Sequence, residues 1–382
     1  MNKKILIVVD KYLPYPSSNG ACIANLVNSF SENNDDVTIL TIYGHNAQEN
    51  INGVNIYSMQ VEKTNVKLFD KVFGFLEDKA LVKKIVLKIY ELYQQYEFDI
   101  VVGVYRPIES IIAVNRISNL LNIKACYLFC DIPITSSMNR FKSSIIQKNY
   151  IRLYKKLINS GKVIAFKYYK KYFVDCLNRA LEQRIIYIGT PNFIPVHTVP
   201  LSCGETVDLV YTGSFYDNTR NPQKMLEVLK VIIGTNIVLH LYSWGCEDII
   251  NEYKKLYGKN LVIHGRVSSN KIKEVLANAN IFVNLSNISE YQVPGKVMEY
   301  FSYGKPVINF KFIENDPGDK DYKSYPLIYS VELFESCNFG FDQIELINFI
   351  KVNRNNQVKY STLSKLYNDS TPNYLLAKII EG

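Results

Sequence analysis

Short apolar runs alternate with amphipathic helical stretches along nearly the whole chain, and this alternation restricts the fold more than any other property. Ile5–Val9, Val37–Ile42, Val54–Ser58, Ile100–Val104, Lys124–Phe129 and Ile185–Ile188 read as strands. Between them, helical patterns cover Ala21–Ser31, about Phe69–Tyr96, about Glu109–Leu121 and a stretch running to about Leu181. Apolar strands separated by helices predict a mostly parallel sheet covered on both faces. The rhythm lapses in GTPNFIPVHTVPLSCGETV, Gly189 to Val207, which holds three prolines and two glycines and no periodicity; residues 191–206 therefore read as a linker. It restarts with Asp208–Thr212, a helix from about Pro222, Val238–Tyr242, a helix near Glu247–Tyr257, Leu261–His264, a helix Ser269–Ala277, Ile281–Leu285 and Val307–Phe310. The expected fold class is α/β. Two doubly wound Rossmann-like domains, 1–190 and 207–342, face across a cleft, and a helical tail, 343–382, packs back toward the first.

A length of 382 residues suits two domains, and 47% hydrophobic with 21% charged residues is ordinary for a folded protein. No run approaches the roughly 18 apolar residues of a membrane span. The start, MNKKILIVVDKY, has an apolar run only from Ile5 to Val9, too short for a secretory signal. Seven scattered cysteines without a CxxC suit a reduced, cytoplasmic protein. Cys126 and Cys130 lack partners at zinc spacing and read as core thiols. The net charge of +8 is uneven: Lys142 to Arg184 holds eleven Lys or Arg against Asp175 and Glu182. On a helix Lys148, Arg152, Lys155 and Lys156 share one face, and Lys79–Tyr96 behaves similarly. Such a face suits an anionic membrane surface, so a peripheral position at the inner face of the cell membrane is one expectation. A plain solvated face over a core stripe is the other. No nucleic-acid-binding motif is present, so no nucleic-acid partner is expected.

The densest local signal is VPGKVMEYFSYGKPVINF, Val293 to Phe310. A proline in the first helical turn, Lys296 and Glu299 on one face, a Gly304 stop and a buried strand follow one another. A helix N-terminus presents unpaired N–H groups and a partial positive charge, so it suits a phosphate, and Lys296 adds a full charge. Glu299 lies roughly 4.5 Å further along the axis, within reach of ribose hydroxyls. A solvated i,i+3 pair is the alternative. Position late in a β/α series, before an apolar strand, favours a nucleotide diphosphate site. No GxGxxG or Walker loop occurs, which argues against a dehydrogenase or an ATPase. Gly20, closing the loop after the first strand, either admits a phosphate or substrate to the backbone or is a turn glycine.

With these residues in place the chain resembles the retaining glycosyltransferases of the GT-B fold, especially bacterial members that build surface polysaccharides. The resemblance rests on VYTGSFYDNTRNPQKMLE, IHGRVSSNKIKEVLANANIFVNLS and VPGKVMEYFSYGKPVI. It implies that Arg220 and Lys296 hold the donor pyrophosphate and that Glu299 binds the ribose. It further implies that Gly213 lets backbone approach the donor, that Gly295 also belongs to the donor site and that backbone near Arg266 and Val267 faces the base. The family places a first Glu eight residues before the second; here that position is Tyr291, with Glu290 beside it, so either Glu290 or Tyr291 serves the donor sugar. In LFCDIP, Cys130 stands where the family often has His, leaving Asp131 to contact the acceptor or sugar or to cap the next turn. His45, His197, His240 and His264 do not fill that gap, the last two reading as core residues in strands. Asp319-Lys320-Asp321 reads as an exposed loop and not a metal site.

The implied reaction is transfer of a sugar from a UDP- or GDP-linked donor to a glycan or lipid-linked glycan, with retention and without metal or other cofactor. Fixed cations would stabilise the leaving diphosphate where charge develops. The alternatives are a nucleotide-sugar epimerase or hydrolase on the same scaffold, or an inactive glycan- or nucleotide-sugar-binding partner.

Overall fold

The alternation of strands and helices is realised as two separate parallel sheets. The structure, a computed structural model, describes residues 3–13, 17–32, 36–44, 48–51, 53–61, 77–132, 140–196, 204–334 and 342–381. Two units result: Met1–Pro191 together with Asp369–Gly382, and Asn192–Asn368.

Among the described residues the first unit contains β1 (Lys4–Val9), β2 (Asp36–Thr41), β3 (Gln48–Ile51), β4 (Val54–Ser58), β5 (Ile100–Tyr105), β6 (Lys124–Phe129), β7 (Lys162–Phe166) and β8 (Ile185–Ile188). They line up as β3-β4-β2-β1-β5-β6-β7-β8, parallel throughout except for the antiparallel β3–β4 pair. Ile5 to Val9 are fully buried on both faces of the sheet, which explains an apolar run without alternation. The helix Lys79–Tyr96 starts where Asp78 accepts the N–H groups of Ala80 and Leu81. Residues 69–76 of the longer helix expected there lie outside the described residues. Two elements differ from expectation. The helical stretch thought to run to Leu181 is interrupted by β7, because Ser160–Gly161 ends the helix Arg140–Ser160 and KVIAF joins the sheet. β3, with the sequence QENI, is a polar edge strand and carries no apolar signature.

The second unit contains β9 (Val207–Ser214), β10 (Ile237–Trp244), β11 (Leu261–Ile263), β12 (Ile281–Leu285), β13 (Val307–Lys311) and β14 (Ile328–Glu332), all parallel, in the order β11-β10-β9-β12-β13-β14. Counted from β9, that order is 3-2-1-4-5-6. The connection direction reverses between β9 and β12, and the crevice outside their carboxyl ends is where such sheets take ligands. One face is sealed by Leu209, Leu239, Leu241 and Val283 packed on Leu226 and Ile250. The other packs Val210 and Phe282 against Val297, Met298 and Phe301 of the helix Lys296–Ser302. Residues 192–196 join this unit: Phe193 stacks on Tyr360 at 4.9 Å, and the Ile194 N–H donates to Ser302 Oγ at 3.0 Å. The helical tail divides. Gln343–Asn353 and Tyr360–Leu366 stay with the second unit, whereas Pro372–Ile380 packs on Ser18–Glu32 of the first.

Candidate functional site

At the reversal point of the second sheet, β9 ends in Thr212-Gly213-Ser214. Gly213 has φ +149°, a conformation glycine adopts without strain, and a Cβ there would lie 3.4 Å from Tyr211 Oη and 3.9 Å from Arg220 Nη1. The following loop closes on itself, the N–H of Tyr216 donating to the Arg220 carbonyl at 3.2 Å and the reverse bond at 2.9 Å. Arg220 then points its Nε and Nη2 at Asn287 Oδ1, at 3.0 and 2.7 Å. Asn287 belongs to the loop after β12, and the Ile288 N–H donates to the Thr219 carbonyl at 3.0 Å. The loops of β9 and β12 are thereby clipped together around Arg220.

The helix Lys296–Ser302 is fastened to the same strand end. Its Tyr300 hydroxyl accepts the Thr212 N–H at 2.9 Å and lies 2.9 Å from Thr212 Oγ1, all buried. Burial pushes the Tyr300 phenol well above its ordinary range. The helix spans seven residues, with Gly295 at its N-cap, so Pro294 precedes the helix instead of sitting in its first turn as the sequence reading expected. Lys296 opens the helix, and its Nζ meets Glu299 Oε2 at 2.6 Å, the carboxylate side chain 21% exposed and the lysine 40%. The two side chains thus hold one another, leaving a half-exposed cation beside a more sheltered acceptor. Gly295 offers its carbonyl to Asn192 Nδ2 at 3.1 Å. Before the helix, Glu290 is exposed and Tyr291 half-buried.

Arg266 and Val267 follow β11. The Arg266 guanidinium sits over Trp244, 5.6 Å from the ring centroid. His240 and His264, read as core residues, are partly exposed instead: their ring nitrogens lie 3.0 Å apart, and His264, one residue beyond β11, stacks on Tyr242 at 4.1 Å. The edge position of β11 leaves that face open. His45 and His197 lie outside the described residues. Asp319 and Asp321 also correct the sequence reading of an exposed loop. They open the helix Asp319–Ser324, where Asp321 is 6% exposed and Asp319 pairs with buried Lys311 at 2.8 Å. Among the described residues no three His, Cys, Asp or Glu side chains group as metal ligands.

Gly20 and Asp131 belong to the first unit. Gly20 is in the first turn of Ser18–Glu32, not at the end of a loop, and its N–H donates to Ser17 Oγ at 3.0 Å. Ser17 in turn donates to Asp10 Oδ1 at 2.6 Å. Asp131 follows β6; its Oδ1 accepts the Ile132 N–H at 2.8 Å and its Oδ2 meets Arg106 Nε at 3.2 Å. The reach of Asp131 as a cap for residues 133 onward lies outside the described residues. Cys126 and Cys130 are buried free thiols, as read, and burial pushes both thiols up. Gly213 and Arg220 thus stand together at the end of β9, and the helix that Gly295, Lys296 and Glu299 open is fastened to the same strand end through Tyr300, while Gly20 and Asp131 belong to the other unit. Asn287, Tyr300 and Arg106 were not found from sequence. Each acts through a partner at least 25 residues away, Asn287 on Arg220 at a separation of 67 and Tyr300 on Thr212 at 88.

Residues 206–318 match the family model described as glycosyl transferases group 1. No curated protein sequence matches the chain. Among solved structures, a glycosyltransferase from Rickettsia africae ESF-5 is similar at TM-score 0.65 and 14% identity, covering 100% of this chain and 97% of that one. Anabaena HepE, solved with UDP and glucose, is similar at TM-score 0.62 and 14% identity with 100% of both chains covered. Sucrose-phosphate synthase from Thermosynechococcus elongatus gives TM-score 0.62 at 12% identity, over 93% and 92%. The fold is GT-B, and residues 206–318 form a glycosyl transferases group 1 domain.

Proposed function

We propose that the protein transfers a sugar, with retention and without a metal, from a nucleotide-diphosphate sugar to a glycan or lipid-linked glycan acceptor. The observation that carries this reading is the placement of Arg220 after β9, and of the helix that opens with Lys296 and Glu299, fastened through Tyr300 to the end of β9, at the strand-order reversal of the segment that matches the group 1 model. Arg220 and Lys296 bind the donor diphosphate, Glu299 the ribose hydroxyls, and the backbone near Arg266 and Val267 the base. Glu290 or Tyr291 serves the donor sugar, and Asp131 the acceptor. In the reaction the bond between the anomeric carbon and the diphosphate oxygen breaks, and the acceptor oxygen bonds to that carbon on the same face. The acceptor proton passes to the leaving phosphate. Negative charge grows on the diphosphate, and the two cations, Arg220 already held in direction by Asn287, stabilise it there.

UDP and GDP binding by calorimetry, followed by donor turnover with and without acceptor, tests the assignment. Binding followed by acceptor-dependent turnover supports a transferase. Full turnover without acceptor indicates a hydrolase or epimerase, and binding without turnover an inactive partner. Lys296→Ala should abolish detectable nucleotide binding or raise the barrier by about 2–4 kcal/mol; unchanged binding overturns the site. We further place the enzyme at the cytoplasmic face of the membrane, held by the exposed Lys148, Arg152, Lys155 and Lys156.

A further inference from the structure

Trp244 is the single tryptophan of the chain, and at the end of β10 it is 44% exposed. It belongs to neither hydrophobic cluster of its unit, so packing of the core does not require it. Its surroundings are built all the same. The Arg266 guanidinium carbon lies 5.6 Å from the indole centroid, and the Tyr216 ring meets the indole at 80° with centroids 5.8 Å apart. These three side chains come from the end of β10 and the loops after β11 and β9. The Phe215 N–H donates to the Trp244 carbonyl at 2.9 Å, which holds the indole beside the short loop that Tyr216 and Arg220 close. Trp244, Tyr216, Thr219, Gly245 and Cys246 line a cavity of about 490 Å³, the size range of small-molecule sites.

A flat, half-exposed indole with a cation over its ring, set one loop away from a phosphate-binding arginine, matches one part of a nucleoside diphosphate. Every base presents a π face, and aromatic and guanidinium planes stack on it whatever its edge carries. We propose that Trp244, with Arg266 over its ring, is the stacking platform for the nucleobase of the donor. The inference rests on the donor-site reading given above, and it assigns the base to a side chain instead of to the backbone near Arg266 and Val267 alone. An exposed tryptophan can also lie against the C–H face of a sugar. The neighbouring cation and the shared loop with Arg220 favour the base.

Because the chain has one tryptophan, its fluorescence reports this position alone. UDP and GDP added to the full-length protein should quench the emission saturably, with the same midpoint as calorimetric binding. Pyrophosphate and glucose, each added alone, should leave it unchanged. Trp244→Ala should weaken UDP and GDP binding alike, by about tenfold or more, and Trp244→Phe should recover most of that loss. Calorimetric UDP binding with no fluorescence change, and with full affinity in Trp244→Ala, overturns the platform and leaves the donor site standing. Quenching by glucose but not by nucleotide also overturns it. Absence of any nucleotide binding by the unmodified protein defeats the donor-site reading itself.

Discussion

Arg220 and Lys296, the two cations of the proposed donor site, are held differently. Arg220 is gripped by a fork of two bonds to Asn287 Oδ1, so its direction is preset. Lys296 has Glu299 at 2.6 Å and is 40% exposed, and a diphosphate bound as proposed would have to compete with that carboxylate. Asn287→Ala should therefore cost donor affinity by about 1–2 kcal/mol without removing a charge, measured as the nucleotide Kd. Asn287→Asp should not be equivalent, because a carboxylate there would neutralise the cation that the proposed donor site assigns to phosphate. Tyr300→Phe leaves the Thr212 N–H without its acceptor in a buried place and should lower stability by about 1–3 kcal/mol, read from a urea midpoint. Legibility at this scale follows sequence distance. Lys296 and Glu299 were readable because one helical turn brings them together, and Gly213 only through the resemblance of VYTGSFYDNTRNPQKMLE to a family's strand–glycine–loop element. The role of Asn287 needed the fold, since nothing within a few residues of it names Arg220 as its partner.

At the scale of elements, the helix Ser269–Asn278 shows how a short segment is closed at both ends. Ser268 accepts the Lys271 N–H at its start. At its end the buried Lys305 ammonium donates to the carbonyls of Leu276, Ala277 and Ala279 at 3.3, 2.5 and 2.6 Å. Burial pushes Lys305 down to about 8, so the ammonium still predominates at neutral pH. Lys305→Met strips three carbonyls of their donor and should cost about 1–3 kcal/mol, the released desolvation of the charge offsetting part of the loss. The exposed basic face of Arg140–Ser160 carries a different expectation. Replacing Lys148, Arg152, Lys155 and Lys156 by glutamate should abolish pelleting with anionic liposomes, and unmodified protein that ignores lipid charge and salt would contradict the membrane position. Most strands were legible because buried runs such as ILIVV and IFVNL have few other uses. β7 was not, since KVIAF follows a long helical pattern and only Gly161 interrupts it. β3 was not either, because a polar edge strand is defined by its partner β4 and not by its own residues.

For the whole molecule, pH and the chain's own ends test how the units are held. Burial raises the Asp316 carboxyl from 3.8 to about 6, against the opposing pull of the Gly318 N–H and the Ser286 hydroxyl. The folded chain thus binds this proton more tightly than the unfolded one. The resulting stabilisation is fully present below pH 3.8 and is lost as pH rises through about 6. It amounts to at most about 3 kcal/mol, and Asp316→Asn should flatten the unfolding free energy between those limits. The helix Pro372–Ile380 buries Leu375, Leu376 and Ile379 and belongs to the first unit, where Lys162 Nζ donates to the Lys378 carbonyl at 2.7 Å. A chain ending at Asn368 should lose thermal stability in its first unit by several degrees while keeping nucleotide affinity in its second. Sequence alone determined the α/β class, most strand positions and the Lys296–Glu299 pair, because apolar runs, helical spacing and glycine or proline stops act over a few residues. Tertiary structure alone decided the 3-2-1-4-5-6 order of the second sheet, the Asn287 grip on Arg220, the shortness of the Lys296–Ser302 helix and the setting of Trp244. Those depend on which distant segments meet, and strand pairing and buried hydrogen bonds across tens of residues leave no periodic trace in the chain.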